Sequence, residues 1–347
     1  MPTTYAIPDG RTVMAVTLWT GNSTTGRAIT GVGFAPDFAW IKNRSVGYSN
    51  NLTDTVRGAT KLLFSNSTDA EATTPIHGYI GAFTSDGYTL TNGSSTNGYV
   101  NDSGSNYVGW NWKAGGTAVS NTAGSITSSV SANTTAGFSV VTYTGTGANA
   151  TVGHGLGVAP SMMIVKNRSA AEAWDVYHVS IGATGRLFLN RTDATNTSIA
   201  PWNNTAPTST VFSLGTGTET NQSASLMLAY CFAAVAGYSA FGSYTGNGSA
   251  DGPFIYTGFR PRWLMTKRTD SSTSGDWNLV DTSRGTYNAV GPYLYANLSN
   301  AEGNAAIYDI LSNGFKIRET GAGTNASGST YIYAAFAETA FKFSNAR

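Results

Sequence analysis

Residues 155–169 read GLGVAPSMMIVKNRS, and the same chain writes close variants twice more: GVGFAPDFAWIKNRS at 31–45 and GFRPRWLMTKRTD at 258–270. The match begins earlier than the phrase. An aromatic followed by Thr-Gly stands at Trp19, Tyr143 and Tyr244, and the motif prolines Pro36, Pro160 and Pro261 each follow that aromatic by 17 positions. Six positions after each proline comes a lysine: Lys42, Lys166 and Lys267. Downstream, Asp54 to Gly58 in the first copy answers Asp281 to Gly285 in the third, with His178 to Gly182 in that place in the second. Each copy closes on an apolar segment in which Trp112, Phe232 and Phe336 align.

A unit of about 100 residues is longer than a solenoid repeat and matches a sandwich domain. The expected fold is therefore all-β: three tandem, jelly-roll-like β-sandwich repeats at 1–114, 136–235 and 236–347, joined after the first by a Gly/Ser/Thr-rich linker at 115–135. Short runs rich in β-branched, aromatic and Met residues, such as FSVVTYTG at 138–145 and PSMMIVKN at 160–167, are bounded by Gly, Pro and Asn and read as strands. Turn pairs such as Asp86-Gly87, Asn247-Gly248 and Asn313-Gly314 supply residues that tolerate positive φ. In the phrase itself both parities are apolar, Phe38 and Trp40 against Ala39 and Ile41, so the strand should be covered on both faces. The motif proline is expected at the strand's first position, where no ladder donor is needed. Each lysine shares the parity of the buried side chains and is expected to lay its stem on apolar surface while its ammonium reaches water. On this reading the prolines, the lysines and the closing aromatics are structural.

Composition narrows the function classes. The 347 residues are 41% hydrophobic and 11% charged, with a net charge of +1, so the chain should fold and has no basic run able to follow a phosphate backbone. Nucleic acid is not an expected partner. A single cysteine, Cys231, excludes an intrachain disulfide framework, and its apolar flanks place it in a core. The longest apolar run, at 226–238, is too short to span a bilayer, and the opening MPTTYAIPDGR has no signal-peptide pattern. No membrane insertion is expected, and synthesis is expected in the cytoplasm.

Patterns that would carry chemistry are few. GNSTTGRA at 21–28 has the glycine spacing of a phosphate loop but carries Arg27 and Ala28 where Lys and Ser or Thr are needed. His77, His154 and His178 fall at unrelated places in their copies, so no repeated triad or metal cage can form. Asp54 and Asp281 could serve a glycosidase, but each precedes an arginine by three residues, Arg57 and Arg284, which suits an ion pair in a turn. No catalytic, cofactor-binding or metal-ligating residue is assigned, and no cofactor is expected. One surface candidate is a basic and aromatic cluster, Arg260, Arg262, Trp263 and Arg268, able in principle to meet an anionic sugar or phosphate.

The stretches GFAPDFAWIKNRS, YSNNLTDTVRG and FTSDGYTL resemble an uncharacterised repeat domain of virion structural and tail- or fibre-like proteins of tailed phages, especially those of marine bacteria and cyanobacteria. The resemblance covers all three copies, the first most clearly. It implies a place, the phage particle, and no reaction. The expectation is a non-enzymatic virion protein: a tail fibre, appendage or adhesive surface protein first, a capsid decoration protein second, a carbohydrate-binding or glycan-hydrolysing module third. Expected partners are other virion proteins, a host-surface glycan and further copies of the chain, as a homo-oligomer and foremost a trimer. Recognition is expected in the segments between the turn at Asn66-Ser67-Thr68-Asp69, answered by Asn190-Arg191-Thr192-Asp193 in the second copy, and the closing strand, where the copies differ most.

Overall fold

In each copy the opening strand pairs with the closing strand, and the closing strand pairs in turn with the strand of the repeated phrase. A computed structural model describes residues 5–340. The ends of the first and third sequence-bounded segments, 1–4 and 341–347, lie outside the described residues, as does the beginning of the stretch read for a signal peptide. The chain is all-β, with several antiparallel sheets; its longest described helix is the single turn Thr218–Asn221.

The opening strands are Met14–Thr20, Phe138–Thr144 and Ser239–Thr245; the closing strands are Asn106–Trp112, Leu226–Phe232 and Thr330–Ala340. The motif strands are Phe38–Asn43, Met162–Asn167 and Phe259–Arg268. Each continues into a fourth strand, Asn51–Asp54, Trp174–His178 or Trp277–Asp281, and a fifth, Lys61–Phe64, Gly185–Phe188 or Val290–Tyr295, in the same order every time. Phe38 stands opposite Trp112, Met162 opposite Phe232 and Trp263 opposite Phe336, so the aligned positions of the sequence are aligned in register as well. Pro36 and Pro160 precede their strands, but Pro261 lies inside its strand at a bulge, where the irregular register accepts a residue without an N–H. The stretch NLSNAEGNAAIYDIL at 297–311, which comes nearest to a helical pattern in the sequence although Gly303 interrupts it, contains the strand Gly303–Leu311.

Segment 115–135 is not a free linker. It carries the strands Val119–Asn121 and Ser128–Asn133, which add to the second copy's sheet through pairs such as Ser131 with Val140. Its small polar residues look like a spacer, yet edge strands need only backbone groups and a few apolar contacts, here Val130 and Ile126.

Every residue of the first two motif strands is buried, because each strand has two covers. Ala39 and Ile41 face an outer layer with Ile80, Tyr88 and Leu90, while Phe38 and Trp40 face inward. The inward faces of all three copies join in one apolar cluster. At its centre Trp112, Phe232 and Phe336 form a triangle of edge-on rings, with centroids 6.3, 5.7 and 5.8 Å apart. Edge-to-face rings at such distances place positive ring edges against negative faces. The three copies thus meet at their sequence-aligned aromatics.

Candidate functional site

Polar seams between the copies close the ring. Trp174 Nε1 donates to Phe64 O and Trp277 Nε1 to Phe188 O, each at 2.9 Å. In the first copy the equivalent residue is Asn50, whose Nδ2 donates to Tyr295 O at 3.0 Å. Copy two therefore binds copy one, copy three binds copy two, and copy one binds copy three. A parallel circuit of backbone bonds runs beside it: Glu71 N to Arg168 O, Thr195 N to Thr269 O and Glu302 N to Arg44 O, at 2.9, 2.8 and 2.8 Å.

The motif lysines do not reach water as the sequence led one to expect; Lys42 and Lys267 donate across seams, and Lys166 donates within its own copy. All three side chains are wholly buried. Lys42 Nζ donates to the carbonyls of Asn43, Tyr48 and Ser299 at 2.9, 2.7 and 3.0 Å; Lys267 Nζ donates to Thr192, Asp193 and Arg268. Lys166 Nζ donates to Asn167 O and Ala170 O. Burial pushes Lys42 down to about 7 and Lys166 and Lys267 to about 8, while the ring of carbonyls favours the ammonium and works against that shift. A long stem at a strand exit looks alike in sequence whether its head meets water or the neighbouring copy.

Asp54 and Arg57 pair at 2.5 Å with both side chains fully buried, and Asp281 and Arg284 pair at 2.6 Å in the same way. Each pair is tied across a seam: Tyr230 OH donates to Asp54 Oδ2 at 2.8 Å, and Trp110 Nε1 donates to Asp281 Oδ2 at 3.0 Å. Glu71 bridges Arg57 to Arg168, and Glu302 bridges Arg284 to Arg44. Burial opposes the charge on Arg57, but Asp54, Tyr230 and Glu71 outweigh it and hold the guanidinium above its ordinary value. The third seam is different. His178 stands where the others have Asp, and its Nε2 meets Tyr333 O at 3.1 Å. Burial pushes that imidazole down to about 4, so it is neutral near pH 7.

The basic and aromatic cluster does not assemble as a surface. Trp263 is buried against the aromatic triangle, 5.5 Å from the Trp112 ring and 5.7 Å from the Phe336 ring. Arg260 pairs with Glu338 at 2.6 Å and Arg268 with Asp270 at 2.7 Å, while Arg262 is half-buried. Strand alternation turns Trp263 to the face opposite Arg262 and Arg268, which adjacency in sequence conceals. Cys231 is buried, its thiol pushed up to about 12 by burial. Among the described residues no cluster of three or more His, Cys, Asp or Glu side chains could hold a metal ion.

Sequence reasoning missed a further repeated residue. Asn101, Asn221 and Asn325 each stand 11 positions ahead of the closing aromatic, and all three are buried. Each side-chain amide fastens the loop after the opening strand: Asn101 to Thr24 O, Asn221 to Ala148 O and Asn325 to Ser249 O. Their constant spacing was the available signal. Two open clefts occupy the outer surface. One, of about 360 Å³, is lined by hydroxyls including Ser129, Thr142 and Thr144 beside Arg168 and Leu226. The other, of about 270 Å³, lies in the third copy and is lined by Asp276, Asn278, Tyr293, Tyr295 and Glu319.

Antiparallel sheets in one repeated strand order, sealed by buried seams, define an all-β protein organised around an internal repeat. The chain belongs to the family described as Domain of unknown function (DUF7483), which it matches over residues 10–340. A search of the curated proteins finds no match.

Proposed function

We propose that this protein is a non-enzymatic structural component of a phage particle, a tail appendage or adhesive surface protein built from three β-sandwich repeats. The observation that carries the reading is the closed circuit of Trp174 to Phe64 O, Trp277 to Phe188 O and Asn50 to Tyr295 O. A ring sealed in this way makes one chain a preassembled three-lobed block whose motif faces are already covered. What it offers to others is the outer layers, among them the strands Tyr79–Thr84, Val211–Leu214 and Gly303–Leu311 in the segments where the copies differ most. The carboxylates best placed for hydrolysis, Asp54 and Asp281, are buried in arginine pairs, which favours a mechanical role for them.

Assembly on the particle, foremost as a trimer, would use the outer layers, and multivalent display would strengthen weak contacts with a host-surface glycan. Cryo-electron microscopy of particles carrying a labelled chain tests the reading. Density on a tail appendage supports it; density over the capsid shell favours a decoration protein; absence from the particle overturns it. Turnover of a host polysaccharide by the purified protein would overturn the non-enzymatic part.

A further inference from the structure

The same outer location can be followed through all three copies by its register. Asn51, Asp175 and Asn278 are equivalent on the fourth strands, and they pair with Phe64, Phe188 and Tyr295 on the fifth. Two residues earlier on the fifth strands stand Leu62, Arg186 and Tyr293. Opposite them, Trp19, Tyr143 and Tyr244 donate to Val100 O, Thr220 O and Thr324 O, which makes the preceding residues Tyr99, Glu219 and Gly323 equivalent.

In the first copy the location is filled by rings: Phe64 and Tyr99 lie 5.2 Å apart, and Tyr99 and His77 5.0 Å apart. In the second it is filled by a cation. Arg186 Nη1 lies 3.2 Å from both Asp175 Oδ2 and Glu219 Oε1, and the guanidinium sits 4.6 Å over the Phe188 ring. In the third copy both fillers are gone. Tyr293 replaces the arginine and Gly323 replaces Tyr99 or Glu219, leaving the open cleft.

Negative charge nevertheless remains around that volume. Asp276 and Glu319 both line it, and among the described residues neither forms an ion pair. Asp276 Oδ1 accepts from Asn297 Nδ2 at 2.7 Å, and Glu319 accepts from the Thr324 hydroxyl. The neighbouring Lys267 is already spent on three carbonyls. Tyr293 and Tyr295, with centroids 5.3 Å apart, supply aromatic faces where the second copy has Phe188.

We propose that this cleft of the third copy binds a guanidinium or ammonium group supplied from outside the chain, at the place that Arg186 fills in the second copy but through Asp276 and Glu319, since Asn278 and Gly323 stand where Asp175 and Glu219 hold that arginine. Two carboxylates accept its N–H groups and a tyrosine ring meets its face. A neutral sugar would bring no positive charge to the two carboxylates, of which Asp276 already faces Lys267.

Isothermal titration of the whole protein with methylguanidinium chloride, against sodium chloride of equal ionic strength, tests this. Saturable one-site binding is expected, weakened about tenfold by Glu319→Gln, since a charge-assisted hydrogen bond is lost. Gly323→Tyr fills the cleft as in the first copy, with no neighbour closer than 3.5 Å to the added Cβ, so it should abolish binding while leaving the thermal melt unchanged. Tighter binding of N-acetyl-arginine methylamide than of spermidine would identify a partner protein's side chain as the source, and the reverse a free polyamine. No saturable binding, undiminished binding by Gly323→Tyr, or binding of methyl glucoside that methylguanidinium does not displace would overturn the proposal.

Discussion

Lys42 shows how much a single buried head group can carry. Replacing it by Met keeps the stem's packing but leaves the carbonyls of Asn43, Tyr48 and Ser299 without their donor. Each unsatisfied buried acceptor is costly, so Lys42→Met should lower stability by about 3 kcal/mol in urea melts. His178 gives the chain a dependence on acid. Its folded value lies near 4, below the ordinary value of 6.5, so between those values the unfolded chain binds more protons than the folded one. Stability from this residue is present above about pH 6.5 and is lost as pH falls towards 4, by up to about 3 kcal/mol. Comparing melts of the parent and His178→Gln across that window should show a shallower acid slope in the variant.

At the scale of elements, a strand's partner matters more than its propensity. The fourth strand of the first copy ends in Asp54, whose carboxylate is shared between Arg57 in its own turn and Tyr230 of the next copy. Asp54→Asn leaves a buried guanidinium poorly compensated and should cost about 3–5 kcal/mol, read from denaturant midpoints. Short apolar runs bounded by turn residues announced the motif, opening and closing strands, and in the motif strands both parities are apolar because both faces are covered. The strands Val119–Asn121 and Ser128–Asn133, the outermost two on one side of the second copy's sheet, gave no such signal, since Ser, Thr and Asn can pair through the backbone without burying much. The acidic cleft was equally hidden. Asp276, Tyr293 and Glu319 are far apart in sequence and share no spacing with the other copies.

Across the whole molecule, the three copies should behave as one cooperative body, because their inward faces form a single apolar cluster. Calorimetry of the intact chain is expected to show one transition, with two or more resolved transitions as the contrary result. Trp112→Ala removes a corner of the aromatic triangle and should cost about 3–5 kcal/mol, lowering that one transition as a unit. The segment 136–235 expressed alone would expose Ile164, Trp174 and Phe232, all buried in the ring. It should aggregate or lose near-ultraviolet circular dichroism, even though it retains a second cluster around Val165, Phe212 and Leu214.

By itself the sequence determined that the chain is all-β, that it repeats, and which residues hold equivalent places, because periodicity and spacing are properties of order along the chain. It could not say what those places touch. Trp174 and Trp277 find their acceptors on backbone carbonyls, a group every residue possesses, and Lys42 finds one of its acceptors 257 positions away. The closed ring, the burial of the lysines, the dispersal of the arginine and tryptophan cluster and the vacated cleft beside Gly323 were decided only in the tertiary structure. Burial and hydrogen-bond satisfaction depend on which surfaces meet, and residues distant in sequence supply the other half of each contact.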